Sequence, residues 1–165
     1  MNQKTKFNEF LDICDKYIDK CDINNLKNIF NIHNDINKYI NENNDIEVNM
    51  INNYLEKNIK NNDKKVQKLI TFIELKNKYM INEAKKLESW DKTINDLCIK
   101  YKSINNYDSN DLYNNIEKIF IKLLLQSKYK FNGNWDVILT NKKGYPIKIE
   151  LIDPNYINLI FENLK

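Results

Sequence analysis

Between residues 66 and 101, apolar or small side chains recur at Val66, Ile70 and Ile73, then Met80, Ala84 and Leu87, then Ile94, Cys98 and Tyr101. The steps alternate between three and four and are broken only at Asn77 and Asp91. That spacing keeps one stripe on one side of an α-helix. Leu69, Phe72, Leu75, Tyr79 and Ile81 widen the stripe in its first half, whereas past Asn82 it narrows to a single seam. Glu74 with Lys78 and Glu88 with Lys92 are Glu-before-Lys pairs four apart, a spacing that supports a helix on its exposed face. The pattern predicts one long central helix over 63–102, capped by Asp63. At 1.5 Å per residue it would be about 60 Å long, against about 40 Å for the breadth of a compact chain of this size. Either its far half projects or the chain turns near Ser89-Trp90-Asp91; with no Gly or Pro there, the unbroken helix is the expectation.

The flanking segments repeat the helical period. Phe7, Phe10, Leu11, Cys14, Tyr17, Ile18 and Cys21 predict a helix over 5–21 with Thr5 as cap. Ile23, Leu26, Ile29, Phe30, Ile36 and Ile40 predict one over 23–40, and Ile46, Met50, Ile51, Tyr54, Leu55 and Ile59 predict one over 45–60 opened by Asp45. After a polar stretch, Leu112, Ile116, Ile119, Phe120, Leu123 and Leu124 predict a helix over 110–131, capped by Ser109 or Asn110 and stopped at Asn132-Gly133. The period then changes to two. Trp135, Val137 and Leu139 alternate with polar residues, as do Ile147, Ile149 and Leu151, predicting a hairpin over 135–151. Lys142-Lys143-Gly144 suits its loop, with the glycine left-handed. The expected register pairs Trp135 with Leu151, Val137 with Ile149 and Leu139 with Ile147, all inward. Asp153-Pro154 then opens a helix over 154–164. The fold class expected is mainly α: a single domain over 1–165, a helical bundle around one long central helix, with a C-terminal β-hairpin and a short terminal helix.

Composition changes the picture in two places. All 26 basic residues are Lys, Asn occurs 31 times and Ile 25 times, and Ala occurs once. AAA, AAT and ATT codons account for that bias, so it points to an AT-rich genome, and many Asn are filler. Charge is also uneven: residues 1–59 carry seven Lys against ten acids, and residues 118–148 carry seven Lys against Asp136 alone. No apolar leader follows Met1 and no run reaches membrane-spanning length, so a soluble cytoplasmic protein is expected. Cys14, Cys21 and Cys98 lack metal-ligand spacing and read as reduced thiols.

Most catalytic signatures are absent: no Gly-rich phosphate loop, no HExxH, no GxSxG and no Arg. Asp12, Asp15, Asp19 and Asp22 form an acidic stripe that could ligate a metal or mimic a nucleic-acid backbone, but solvated charge faces are the ordinary state of surface helices. A lone His33 beside an apolar stripe lacks the partners of a zinc site or a nucleophile. Asp136, Lys148 and Glu150 resemble the carboxylate and lysine set of restriction-type nucleases in type only, since their order is Lys-x-Glu. The stronger signal is Lys128-Tyr129-Lys130 with Trp135, Lys122 before it and Lys142-Lys143 at the hairpin tip, which interleaves cations and rings.

The reading is therefore no enzyme, no cofactor and no metal. The expected function is a non-enzymatic binding protein that acts by protein–protein contact. Small size and AT-rich coding fit an accessory factor of a phage or mobile element, such as an inhibitor of a host defence complex or an immunity protein. Two surfaces could serve: a coiled-coil-like helix seam of Ala84, Leu87, Ile94 and Tyr101, binding another protein or a second copy, and the basic patch of Lys122, Lys128, Tyr129, Lys130, Trp135, Lys142 and Lys143. The alternative is a nucleic-acid-binding regulator, in which residues 118–148 act as a winged-helix-like basic helix and Lys-tipped hairpin.

Overall fold

The computed structural model describes the backbone of residues 3–42, 47–58, 60, 62–105, 110–126 and 137–164, and the side chains of all of these except 3–5 and 48. Its elements are α1 (Gln3–Asp19), α2 (Leu26–Glu42), α3 (Val48–Lys57), α4 (Lys64–Ala84), α5 (Glu88–Asn105), α6 (Leu112–Leu125), β1 (Ile138–Thr140), β2 (Pro146–Ile149) and α7 (Pro154–Glu162). The chain is mainly α with a small antiparallel hairpin, as its periodicity implies. It groups into two compact units, Met1–Tyr79 with Lys128–Asn134 and Met80–Ser127 with Trp135–Lys165. The boundary falls inside α4.

Unit 1 buries the predicted stripes of its helices together. Phe7, Phe10, Leu11, Cys14 and Ile18 of α1 meet Ile29, Ile36 and Ile40 of α2, Ile51 and Leu55 of α3, and Val66, Leu69, Ile70, Phe72 and Ile73 of α4. Phe7 stacks on Tyr54 at 4.7 Å between ring centroids. The Asp63 side chain accepts from the backbone N–H of Lys65 at 2.8 Å, so the expected cap opens α4. Two boundaries move. Helix α1 already runs from Gln3, which places Thr5 inside it and not at its cap. Helix α2 starts at Leu26 and not at Ile23, because Asn25 caps it through the Asn28 N–H and Asn28 in turn accepts from the Asp22 N–H at 2.7 Å. Ile23 is left exposed in that turn. The expected cap Asp45 lies outside the described residues.

Unit 2 is arranged around a break that the long-helix expectation missed. Helix α4 ends at Ala84 and α5 begins at Glu88. The Lys86 and Leu87 N–H groups donate to Glu83 and Ala84, three residues back, so the last turn tightens, and the Trp90 N–H donates to Leu87 as the next helix starts. An uninterrupted helix would keep two or three more backbone bonds, worth about 1 kcal/mol each. Breaking it buries Trp90, Ile94, Leu97 and Tyr101 with α6, the hairpin and α7, at about 1.5–3 kcal/mol per large apolar side chain. Packing decides the outcome. Trp90 lies edge-to-face on Phe120 at 5.0 Å and donates its indole N–H to Glu117 at 2.8 Å. The seam residues are consumed by this core: Ala84, Ile94 and Tyr101 are buried in it and Leu87 packs against it. They are not an open interface stripe.

The hairpin register also differs from expectation. Ile138 pairs with Ile149 and Leu139 with Lys148, and a bulge between Leu139 and Thr140 sets Thr140 opposite Pro146. This one-residue shift turns Ile138 and Pro146 inward and Leu139 and Ile147 outward. The Trp135 pair lies outside the described residues. The loop is as expected, with Gly144 at φ 80°, where a Cβ would be strained. Asp153 caps α7 by accepting from the Asn155 N–H at 2.9 Å, and α6 is described as far as Gln126.

If the corner is a core, Trp90→Ala should lower stability by about 3–5 kcal/mol in denaturant melts. Ile94→Glu should unfold unit 2, seen as loss of its methyl NMR dispersion. A folded Ile94→Glu protein that has merely lost a partner or an oligomeric state would restore the seam interface.

Candidate protein interface

The hairpin is built from its loop outward. The Asn141 side chain accepts from the N–H groups of Lys143 at 2.9 Å and Tyr145 at 3.0 Å, which closes the turn and sets Lys142 and Lys143 side by side at an exposed tip. Leu139 and Ile147 leave the outer face with 41% and 54% of their surface exposed. Lys148 lies next to Ile147 with 61% of its side chain exposed, 4.0 Å from a carboxylate oxygen of Glu150. An exposed pair at that distance contributes little, so the ammonium remains available.

The α4–α5 corner fixes this face. The Tyr145 hydroxyl donates to Glu83 at 2.7 Å, and Lys86 reaches the other oxygen of that carboxylate at 3.1 Å. The Ile149 N–H points away from β1 and donates to the Ser89 hydroxyl at 2.8 Å. Nearby, the Tyr113 hydroxyl donates to Asp91 at 2.7 Å; burial and that carboxylate push the phenol well above its ordinary range. The hairpin is therefore held at both ends of β2.

Of the sequence-predicted basic patch, Lys142 and Lys143 come together at the tip and Lys122 is exposed in the last turn of α6. Lys128, Tyr129, Lys130 and Trp135 lie outside the described residues, as does Asp136 of the nuclease-like set. Tyr145, the aromatic residue of the described hairpin, is half-buried and its hydroxyl is tied to Glu83. Leu139, Ile147, Tyr145, Glu83 and Ser89 were missed. The available signal was Pro146, since a proline inside a strand marks an edge or a bulge and moves the register.

The other candidates resolve into structure. The acidic stripe of α1 meets lysines of α4: Asp12 pairs with Lys65, and Asp15 and Asp19 both reach Lys68, the former at 2.8 Å. Those hydrogen bonds hold both lysines above their ordinary proton affinity. Asp22 accepts from the Asn24 N–H in the following turn. His33 is buried, stacked on Phe72 at 6.2 Å with its Nδ1 3.3 Å from the Asn37 amide nitrogen. Cys14, Cys21 and Cys98 are free thiols, and burial pushes the Cys14 thiol far up. Among the described residues no three His, Cys, Asp or Glu side chains gather as a metal site, and no helix is long and apolar enough to cross a membrane.

No family model matches the chain, and no curated protein or solved structure matches it either.

Proposed function

We propose that this chain is a non-enzymatic binding protein of the cytoplasm that acts by protein–protein contact, using the outer face of the unit 2 hairpin. The observation that supports this most is the exposure of Leu139 and Ile147 on a strand pair bearing Lys142, Lys143 and Lys148. Exposed aliphatic side chains rimmed by charge suit a protein surface, where the centre is dehydrated and the rim sets orientation and association rate. Lys142 and Lys143, which form no ion pair among the described residues, select a partner whose own rim is acidic. The same charge disfavours a second copy docking hairpin to hairpin. AT-rich coding and small size fit an accessory factor of a phage or mobile element, for example an inhibitor or immunity protein that caps an acidic surface of its target.

The test places a photoreactive residue at position 147 in cells that make the protein. A discrete protein adduct should form, and it should disappear when Lys142→Glu and Lys143→Glu are introduced together. With the captured partner purified, Leu139→Ser plus Ile147→Ser should weaken binding at least thirtyfold, about 2 kcal/mol. An adduct to nucleic acid, with DNA or RNA affinity that falls steeply with salt and ignores the two serine changes, would instead establish the basic-hairpin regulator.

A further inference from the structure

Among its described residues, unit 1 holds one buried lysine. Lys76 of α4 is 4% exposed, and the other buried polar side chains among the described residues are His33 and Asn77. Lys76 follows Phe72 by four residues and precedes Tyr79 by three, so the three side chains share one stripe of the helix. That stripe faces α2, because Phe72 stacks on His33 at 6.2 Å and Tyr79 packs on Phe30 at 5.2 Å. An ammonium has three donors to place. Lys76 places one, on the side-chain oxygen of Asn77 at 3.5 Å, the outer limit of a hydrogen bond.

Among the described residues, the charged groups of α1, α2 and α4 form no ion pair with it. Helix α2 turns His33 toward this stripe, with Asn37 on its ring nitrogen. On α1, Asp12, Asp15 and Asp19 are engaged by Lys65 and Lys68, which lie eleven and eight residues before Lys76, about 16 and 12 Å along the axis. On α4 itself Glu74 and Lys78 are two residues away, and two residues are more than half a turn. Burial lowers the proton affinity of Lys76, to a pKa of about 8. A buried charge that meets no counter-ion among the described residues opposes the packing around it.

We infer that Lys76 is a conformational device of unit 1: its buried positive charge loosens the α2–α4 contact, which opens locally while the amine is protonated and closes when the proton leaves. The penalty is present in full below about pH 8 and is relieved as pH rises toward the unfolded value of 10.5. Stability must therefore rise with pH across that window, because the unfolded chain binds the extra proton. Cys14, Tyr54, Tyr113 and Tyr156, with raised values, pull the other way there. Only a difference against a Lys76 variant isolates the effect.

The experiment is an NMR titration of the full chain labelled at lysine Cε, with relaxation dispersion on ring signals at pH 6.5 and 9.5. One Cε resonance, absent in Lys76→Met, should titrate near pH 8. Rings of Phe30, His33, Phe72 and Tyr79 should show millisecond exchange at pH 6.5 that is quenched at pH 9.5, and quenched at both values in Lys76→Met. Between pH 7 and pH 10 the folding constant of the wild type should gain about 70-fold relative to that of the variant. A Lys76 Cε that titrates near 10.5, parallel pH profiles, or exchange that survives Lys76→Met but vanishes in His33→Gln each overturns the inference. The titration of the unmutated chain decides it even if the variant folds poorly.

Discussion

The corner between α4 and α5 is the constraint on which unit 2 depends. Its position is set by one large side chain: Trp90 needs Phe120 against its ring and Glu117 on its indole nitrogen, and a straight helix would carry it elsewhere. Once the helix breaks at Lys85–Leu87, Ala84, Ile94, Leu97 and Tyr101 all turn into one core with α6, the hairpin and α7. Around the same corner Glu83, Ser89 and Asp91 accept hydrogen bonds from Tyr145, Ile149 and Tyr113. Two separate segments, the hairpin and α6, thus take their positions from nine consecutive residues.

Two consequences follow for function. The side of the hairpin nearest the corner is used up by packing and hydrogen bonds, so the side left over carries Leu139, Ile147 and the lysines. A strand pair this short is marginal by itself; fastened through Tyr145 and Ile149 it is preformed, which would reduce the ordering penalty of the proposed binding. Unit 1 is built differently. Its helices bury a continuous apolar core and its surface carboxylates meet lysines across α1 and α4, while Lys76 is the one buried lysine among the described residues.

Much of this was legible in the sequence. The stripes of α1 to α3, the Asp63 and Asp153 caps, the left-handed Gly144 and the mainly α class all follow from spacing and local chemistry, which act within a few residues. The break at Lys85–Leu87 was not, since no Gly or Pro marks it and its cause lies 27 residues away in Glu117 and further still in Phe120. The hairpin register failed for a related reason: both alternations fit an apolar inner face, and the bulge at Leu139/Thr140 was settled by contacts with α5. The site changed accordingly. Lys142 and Lys143 were visible as charges, whereas the outward turn of Leu139 and Ile147 depends on that register, and the seam of Ala84, Ile94 and Tyr101 looked free only while the helix was taken as straight.

The most direct measurement of the corner's role is amide hydrogen exchange at Ile149. Its N–H is turned away from β1 and is held by the Ser89 hydroxyl of α5. If the corner clamps the hairpin, this amide should exchange as slowly as the central amides of α5, and Ser89→Ala should release it while leaving α5 protected. Exchange as fast as that of the loop amides of Lys142 and Lys143 would mean that the hairpin is not fastened to the corner, and the account of a preformed binding face would be contradicted.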